Sequence, residues 1–190
     1  RGRVIDMRVA ILQFPGSNCD WDAWHGVQQV IGLSADRVWH KDDLPAGAEA
    51  VIVPGGFSFG DYLRCGAIAQ FSPIMKDLRR FADNGGPVLG ICNGFQILCE
   101  SGLLPGALIR NNCIEFRCVN QCLAPEDSTT LFSKANLGER IYLPIAHGEG
   151  NYRLEENALA ELEANDQVLL RYAGDPSDGH GHGNPNGSVN

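Results

Sequence analysis

The 190-residue chain predicts an α/β protein with an open, mainly parallel sheet and helices on both faces. Three observations carry that expectation. In the first half, short aliphatic runs alternate with stretches whose apolar residues recur at helical spacing. The runs end in glycine-bearing turns, Phe14-Pro15-Gly16, Pro54-Gly55-Gly56 and Gly90-Ile91-Cys92. Composition is 44% hydrophobic and 20% charged, which is enough apolar material to bury a core and fits an ordinary globular protein.

Arg8 to Phe14 reads as a strand, stopped by Pro15-Gly16-Ser17-Asn18. Asp20 to Leu33 carries Trp21, Trp24, Val27 and Ile31 near helical spacing, with Gly32 close to its end. Glu49 to Val53 is a short strand of the buried type. Ser72-Pro73 has the form of an N-cap followed by proline at the first helical position. Phe71, Ile74, Met75, Leu78 and Phe81 supply that helix with an apolar face, and Gly85-Gly86 ends it. A strand from Pro87 leads to Cys92, and the helix after it stops near Gly102. The order βαβαβα places parallel strands side by side through right-handed crossovers. Active sites of such sheets lie off the C-terminal strand ends, where the three glycine turns would meet.

The second half is less regular. Strands are expected within Ile109 to Leu123, at Arg140 to Ala146 and at Gln167 to Tyr172, with a short helix at Ala158 to Ala164. From Gly174 the chain is rich in Gly, Pro, Asp, Asn and His, and His180-Gly181-His182 reads as a solvated loop rather than a ligand pair. With no internal repeat and no linker, residues 1–190 are expected to form one domain. Arg1 to Asp6 reads as an extension before a native start at Met7.

A formal charge of −8 without a basic run argues against nucleic acid or an anionic membrane surface as partner. No apolar run is long enough to span a bilayer, and Arg1 to Asp6 do not read as a secretory signal, since no apolar h-region follows them. Seven cysteines, an odd number in a chain of this size, read as reduced thiols in a cytoplasmic protein. Cys113, Cys118 and Cys122 cluster in sequence, yet they form no Cys-x-x-Cys pair and have no histidine at ligand spacing, so no metal is expected there.

The chemistry concentrates in Gly90-Ile91-Cys92-Asn93-Gly94-Phe95-Gln96, where an apolar run breaks at a tight turn and a helical run follows at once. That is the pattern of a nucleophile elbow with cysteine in place of serine. The turn would lift the sulfur above the sheet edge and set it at a helix N-terminus, which favours a thiolate. The Asn93 N–H would point at the oxygen of a carbonyl under attack. On these grounds Cys92 is expected to be the one reactive cysteine; the competing reading is a buried cysteine in a strand-to-helix turn.

The glycine-rich loop from Gly55 to Tyr62 is a weak candidate for a phosphate cradle, since the Gly-x4-Gly-Lys-Ser/Thr pattern is absent from the whole chain and no Lys is near. It reads either as a donor of a second oxyanion N–H or as a plain βα turn capped by Asp61. For a base and its orienting carboxylate, the only His-x-Glu is His147-Gly148-Glu149. Its competing reading is a glycine-lined loop that meets substrate or a neighbouring subunit. His25 and His40 read as structural or exposed.

With these residues in hand, the chain resembles the class I, or triad-type, glutamine amidotransferases, and among them the glutaminase subunits of phosphoribosylformylglycinamidine synthase. The resemblance runs through Phe14-Pro15-Gly16-Ser17-Asn18-Cys19-Asp20, the segment Gly55 to Gly66, Gly90 to Gln96, Pro144 to Gly150 and Asn184-Pro185-Asn186-Gly187-Ser188. It implies a flavodoxin-like fold, a nucleophile at Cys92, oxyanion donors at the backbones of Gly56 and Asn93, and a glutamine contact at Gln96. It implies hydrolysis of glutamine to glutamate and ammonia through a cysteine thioester, without a cofactor. The ammonia would pass to an ATP-dependent synthetase subunit that makes an amidine in purine biosynthesis. In this family the triad His and Glu come from a C-terminal Pro-His-Pro-Glu motif. No such motif occurs before Asn190, so the sequence is expected to stop short of it, and the resemblance gives His147 and Glu149 no triad role. The other readings are a different cysteine hydrolase of the same architecture, against which Gln96 and the Gly-Gly-Phe-Ser loop argue, and a non-catalytic subunit that docks on a synthetase.

Overall fold

The computed structural model describes residues 7–126, 139–174 and 183–189. The proposed extension at Arg1 to Asp6 and the tail histidines His180 and His182 lie outside them. The chain divides into two compact units, Arg1–Leu104 and Pro105–Asn190.

The first unit is built on β1 (Arg8–Gln13), whose alternation assigns its side chains to two faces. Around it stand β2 (Ser34–Trp39), β3 (Ala50–Val53) and β4 (Val88–Gly90), in the order β2-β1-β3-β4 and parallel throughout. On one face Ala10, Leu12, Val51 and Val53 pack against Ile74, Leu78, Ile97 and Leu98. Those residues come from α2 (Ile74–Asp83) and α3 (Asn93–Glu100). On the other face Val9 and Ile11 meet Ala23, Trp24 and Val27, the first two from α1 (Asp20–His25). Val9, Ala10, Ile11 and Leu12 are thus all buried, as a central parallel strand requires. This is the expected open parallel sheet with helices on both faces.

Three details depart from the sequence expectation. Strand β2, Ser-Ala-Asp-Arg-Val-Trp, was not anticipated: it is an edge strand, with Val38 its one fully buried residue, so it needs little apolar character. The helix expected to run from Asp20 to Leu33 is α-helical only to His25. It continues as a wider π-helical stretch, Gly26–Ile31, and closes at Gly32 with φ +83°. The Ser72 hydroxyl does not cap α2. It lies 3.1 Å from Nδ1 of His40, while the Ser72 carbonyl accepts the N–H of Met75. His40 is buried between the rings of Trp39 and Phe59 and is structural; His25 is exposed.

The second unit is antiparallel. β5 (Ala107–Ile109) pairs with β8 (Asn151–Arg153). β6 (Arg117–Pro125) lies between β7 (Ile141–His147) and β9 (Leu170–Tyr172). α4 (Glu156–Ala164) carries no buried residue. The expected strands and helix of this half appear with shifted ends, and the three-residue β8 is added. Among the described residues, no helix is long and apolar enough to cross a membrane.

Candidate active site

The three glycine turns of the first unit meet. Phe57 N–H donates to the Gly16 carbonyl at 3.1 Å, and Phe59 N–H to the Pro15 carbonyl at 2.6 Å. Ser17 bridges to Gly56 in antiparallel sense. Gly16 has φ +86°, and a Cβ there would strike the Phe57 carbonyl, so this contact requires glycine. Ser58 N–H in turn donates to Oδ1 of Asn93 at 3.1 Å, which ties the second turn to the third.

Cys92 stands at the head of α3 with φ 51° and ψ −110°. A left-handed φ is costly for a side chain with a Cβ, and persists where the surroundings impose it. Here they do. A Cβ on Gly94 would collide with the Val53 carbonyl, and one on Gly90 would sit 2.6 Å from Cδ1 of Leu98. The two glycines let α3 press against the ends of β3 and β4, and the residue between them must turn sharply. This strained strand-to-helix turn has the form of a nucleophile elbow, and the residue as a whole is open to solvent although its sulfur is partly covered.

The residues 6–190 match the family model of the CobB/CobQ-like glutamine amidotransferase domain. The chain belongs to this family. It is 52% identical to phosphoribosylformylglycinamidine synthase subunit PurQ of Salinibacter ruber, over 96% of this chain and 78% of that one. The PurQ subunit of Moorella thermoacetica is 50% identical with the same coverage. The solved structure of PurLQS from Thermotoga maritima contains a chain that superposes with a TM-score of 0.80. That chain is 40% identical, over 97% of this chain and 78% of its own length.

In this amidotransferase chain the backbone around Cys92 offers two N–H groups. The Asn93 N–H hydrogen-bonds to the Cys92 sulfur. The N–H of Gly56, a residue with φ +134°, makes no hydrogen bond among the described residues. Gly55 lies beside Cys92: a Cβ on it would be 3.4 Å from Cβ of Cys92 and 3.6 Å from Sγ of Cys19. Gln96 is buried, and its Oε1 accepts from Nδ2 of Asn93 at 2.9 Å. Cys92, Asn93, Gly56 and Gln96 are therefore gathered in one place. Sequence reading missed Cys19 as a neighbour. It also missed the side chain of Asn93, because it used only that residue's backbone.

The expectation of a ready thiolate is corrected. Burial of the sulfur pushes the Cys92 thiol above its ordinary range, and the carboxylate of Asp61 adds to this. The Asn93 N–H pulls the other way without winning. The resting group is a thiol, and attack needs a base to take its proton. Nor is Cys92 the one reactive cysteine by acidity. Burial drives the Cys99 thiol up to about 12. The Cys113 thiol is lowered by a backbone hydrogen bond at Glu115 and by the Arg117 guanidinium, whose Nε is 3.3 Å from the sulfur.

His147 belongs to the second unit and is engaged there. Its Nε2 lies 3.0 Å from Nδ2 of Asn186, which also reaches the Gly150 carbonyl at 2.8 Å. An amide NH₂ only donates, so this ring nitrogen accepts, which fits a neutral imidazole whose burial lowers its pKa. The His147 carbonyl accepts from Asn111, whose Oδ1 receives the Gly150 N–H. The His-Gly-Glu-Gly and Asn-Pro-Asn-Gly-Ser segments thus share one buried polar network with Asn111. An open depression of the first unit, lined by Asp43, Gln70, Phe71 and Lys76, holds none of the site residues.

Proposed function

We propose that the chain is the glutaminase subunit of a phosphoribosylformylglycinamidine synthase, with Cys92 as nucleophile. The observation that carries the catalytic assignment is the strained Cys92 at the head of α3, with the Asn93 N–H on its sulfur and the uncommitted Gly56 N–H in the adjoining turn. The relatives named PurQ supply the reaction. Glutamine enters with its side-chain amide against Cys92. The sulfur attacks the amide carbon as a base removes the thiol proton, and the carbonyl oxygen becomes an oxyanion between the N–H groups of Gly56 and Asn93. The C–N bond breaks, the nitrogen takes a proton, and ammonia leaves. Water then attacks the thioester and releases glutamate, restoring the thiol. Gln96 contacts the bound glutamine. The ammonia passes to an ATP-dependent synthetase subunit, which uses it to convert formylglycinamide ribonucleotide to the amidine. Acyl transfer of this kind calls on no cofactor. A cytoplasmic location and partners other than nucleic acid or membrane fit the acidic charge.

The test uses the chain assembled with its synthetase. Amidine formation is measured with glutamine and, separately, with ammonium as nitrogen source. Cys92→Ser is expected to abolish the glutamine-driven reaction and to leave the ammonium-driven one intact. Glutamine-driven formation that survives Cys92→Ser would remove Cys92 from the mechanism.

A further inference from the structure

The loop from Gly55 to Asp61 has one backbone hydrogen bond of its own, from Gly60 N–H to the Phe57 carbonyl at 2.9 Å, and is otherwise tied to its neighbours. Phe59, Gly60 and Asp61 follow one another with φ of 54°, 69° and 54°, and two of these residues carry a side chain. Such a run is unfavourable unless outside contacts impose it. Two come from the first turn, through the carbonyls of Pro15 and Gly16. The third comes from Asn93, a polar amide only 2% exposed in the first turn of α3. Its Oδ1 accepts the Ser58 N–H at 3.1 Å, and its Nδ2 donates to Oδ1 of Asp61 at 3.3 Å and to Oε1 of Gln96 at 2.9 Å. The Ser58 hydroxyl is buried without a hydrogen-bond partner, so Ser58 is tied to α3 by its backbone.

We infer that the Asn93 side chain is a positioning residue: it fixes the Gly55–Asp61 loop, and with it the Gly56 N–H, against the helix head that carries Cys92. The inference rests on the reading of Gly56 and Asn93 as oxyanion donors. One residue then serves the oxyanion twice, with its own N–H directly and with its side chain by holding the second donor in place. A hole of this kind acts through donors fixed before the charge develops. Loosening one donor should therefore slow steps that create an oxyanion and spare those that do not.

Two probes of Cys92 separate the cases. Glutamate γ-semialdehyde adds the sulfur to its carbonyl carbon as a base takes the thiol proton, and the carbonyl oxygen becomes an oxyanion in the hole. Iodoacetamide alkylates the sulfur by displacement of iodide and creates no oxyanion. Two variants break the same hydrogen bond from opposite sides. Asn93→Leu keeps the backbone N–H and removes the amide. Ser58→Pro removes the loop N–H at a residue of negative φ, and it sacrifices no hydroxyl bond.

In both variants, semialdehyde affinity and the glutamine-driven rate of the assembled synthase should fall by about 10-fold or more. The bound is the roughly 10²–10³-fold cost of losing an oxyanion donor outright. Iodoacetamide labelling of Cys92 at a fixed pH should stay near the parent rate. If both probes fall together, or neither falls, the positioning role is overturned, as it is if only one of the two variants shows the split. A parent protein whose Cys92 takes neither probe would instead remove the underlying assignment of Cys92.

Discussion

The two units of the chain use their glycines and polar side chains differently. In the first, glycine lets backbone approach backbone: Gly16 meets the Phe57 carbonyl, Gly94 the Val53 carbonyl, and Gly66 comes against the N–H of Ile97. Apolar layers on both faces of the parallel sheet fix these contacts, and the strain collects at Cys92. In the second, Gly106 alone of the described glycines comes close to backbone, at the Arg153 carbonyl; Gly148, Gly150, Gly174 and Gly187 make no close backbone contact, and buried asparagines organise the loops instead. Asn111, Asn151 and Asn186 are each at most 1% exposed, and the first and last of them hold the His147 segment through hydrogen bonds. The histidine is engaged by its own unit's asparagines, whereas the cysteine stands between two close-packed glycines with a strained backbone. Local sequence makes the two look alike as catalytic candidates; their surroundings separate them.

The sharpest way to break that contrast is a pair of glycine substitutions. Gly94→Ala drives a methyl into the Val53 carbonyl, and overpacking of this kind costs about 1–3 kcal/mol or more. It should lower the thermal midpoint clearly and displace α3 enough to end modification of Cys92 by glutamine analogues. Gly148→Ala places its methyl 3.8 Å from the Phe116 ring, an ordinary contact, and should stay within about 0.5 kcal/mol of the parent in urea unfolding. Equal effects at the two positions would erase the distinction between the units.

Asn186→Ala probes the other side. It strips a donor from the His147 ring and from the Gly150 carbonyl, both turned inward. Loss of buried hydrogen bonds to partners left behind costs about 1–3 kcal/mol. Chemical unfolding followed through the second unit should register it. No change would mean that water replaces the amide freely and that the network is not what holds His147.

Much of the first unit was legible because its signals are local. The apolar runs of β1, β3 and β4 and the spacing of Ile74, Leu78 and Phe81 each state a face and a period. Gly-Ile-Cys-Asn-Gly was legible for the same reason, since the two glycines encode a backbone shape within five residues. Strand β2 was hidden because an edge position asks for little hydrophobicity. Where the Ser72 hydroxyl goes, and what the Asn93 amide holds, was hidden because the partners are 32 and 35 residues away in sequence. The raised pKa of Cys92 depends on burial and on Asp61 across the loop, so no local reading of a helix N-terminus could supply it.

A smaller effect sharpens the comparison by pH. Burial lowers the pKa of His147 below the ordinary 6.5, and burial together with Lys41 does the same at His40. The unfolded chain therefore takes up protons first as pH falls. Stability from keeping each ring neutral is present above that ordinary value and is lost as pH drops through it towards the lower folded pKa. Urea midpoints should fall between about pH 7.5 and 5.5. His147→Gln should flatten the part of the profile read from the second unit, and His40→Gln the part read from the first. A midpoint that rises on acidification would reverse the sign.

The most direct test of the account is which cysteine reacts, and with what. An electrophilic glutamine analogue such as 6-diazo-5-oxo-L-norleucine and the small alkylating agent iodoacetamide are applied separately, and all seven cysteine peptides are resolved by mass spectrometry. Acidity favours Cys113, beside Arg117, for the small reagent at neutral pH, and leaves the buried Cys99 silent. The glutamine site proposed above is the one around Cys92. The account predicts that iodoacetamide modifies Cys113 before Cys92, while the glutamine analogue modifies Cys92 alone and is blocked by excess glutamine. Analogue on Cys113 or Cys19 with Cys92 untouched would contradict it.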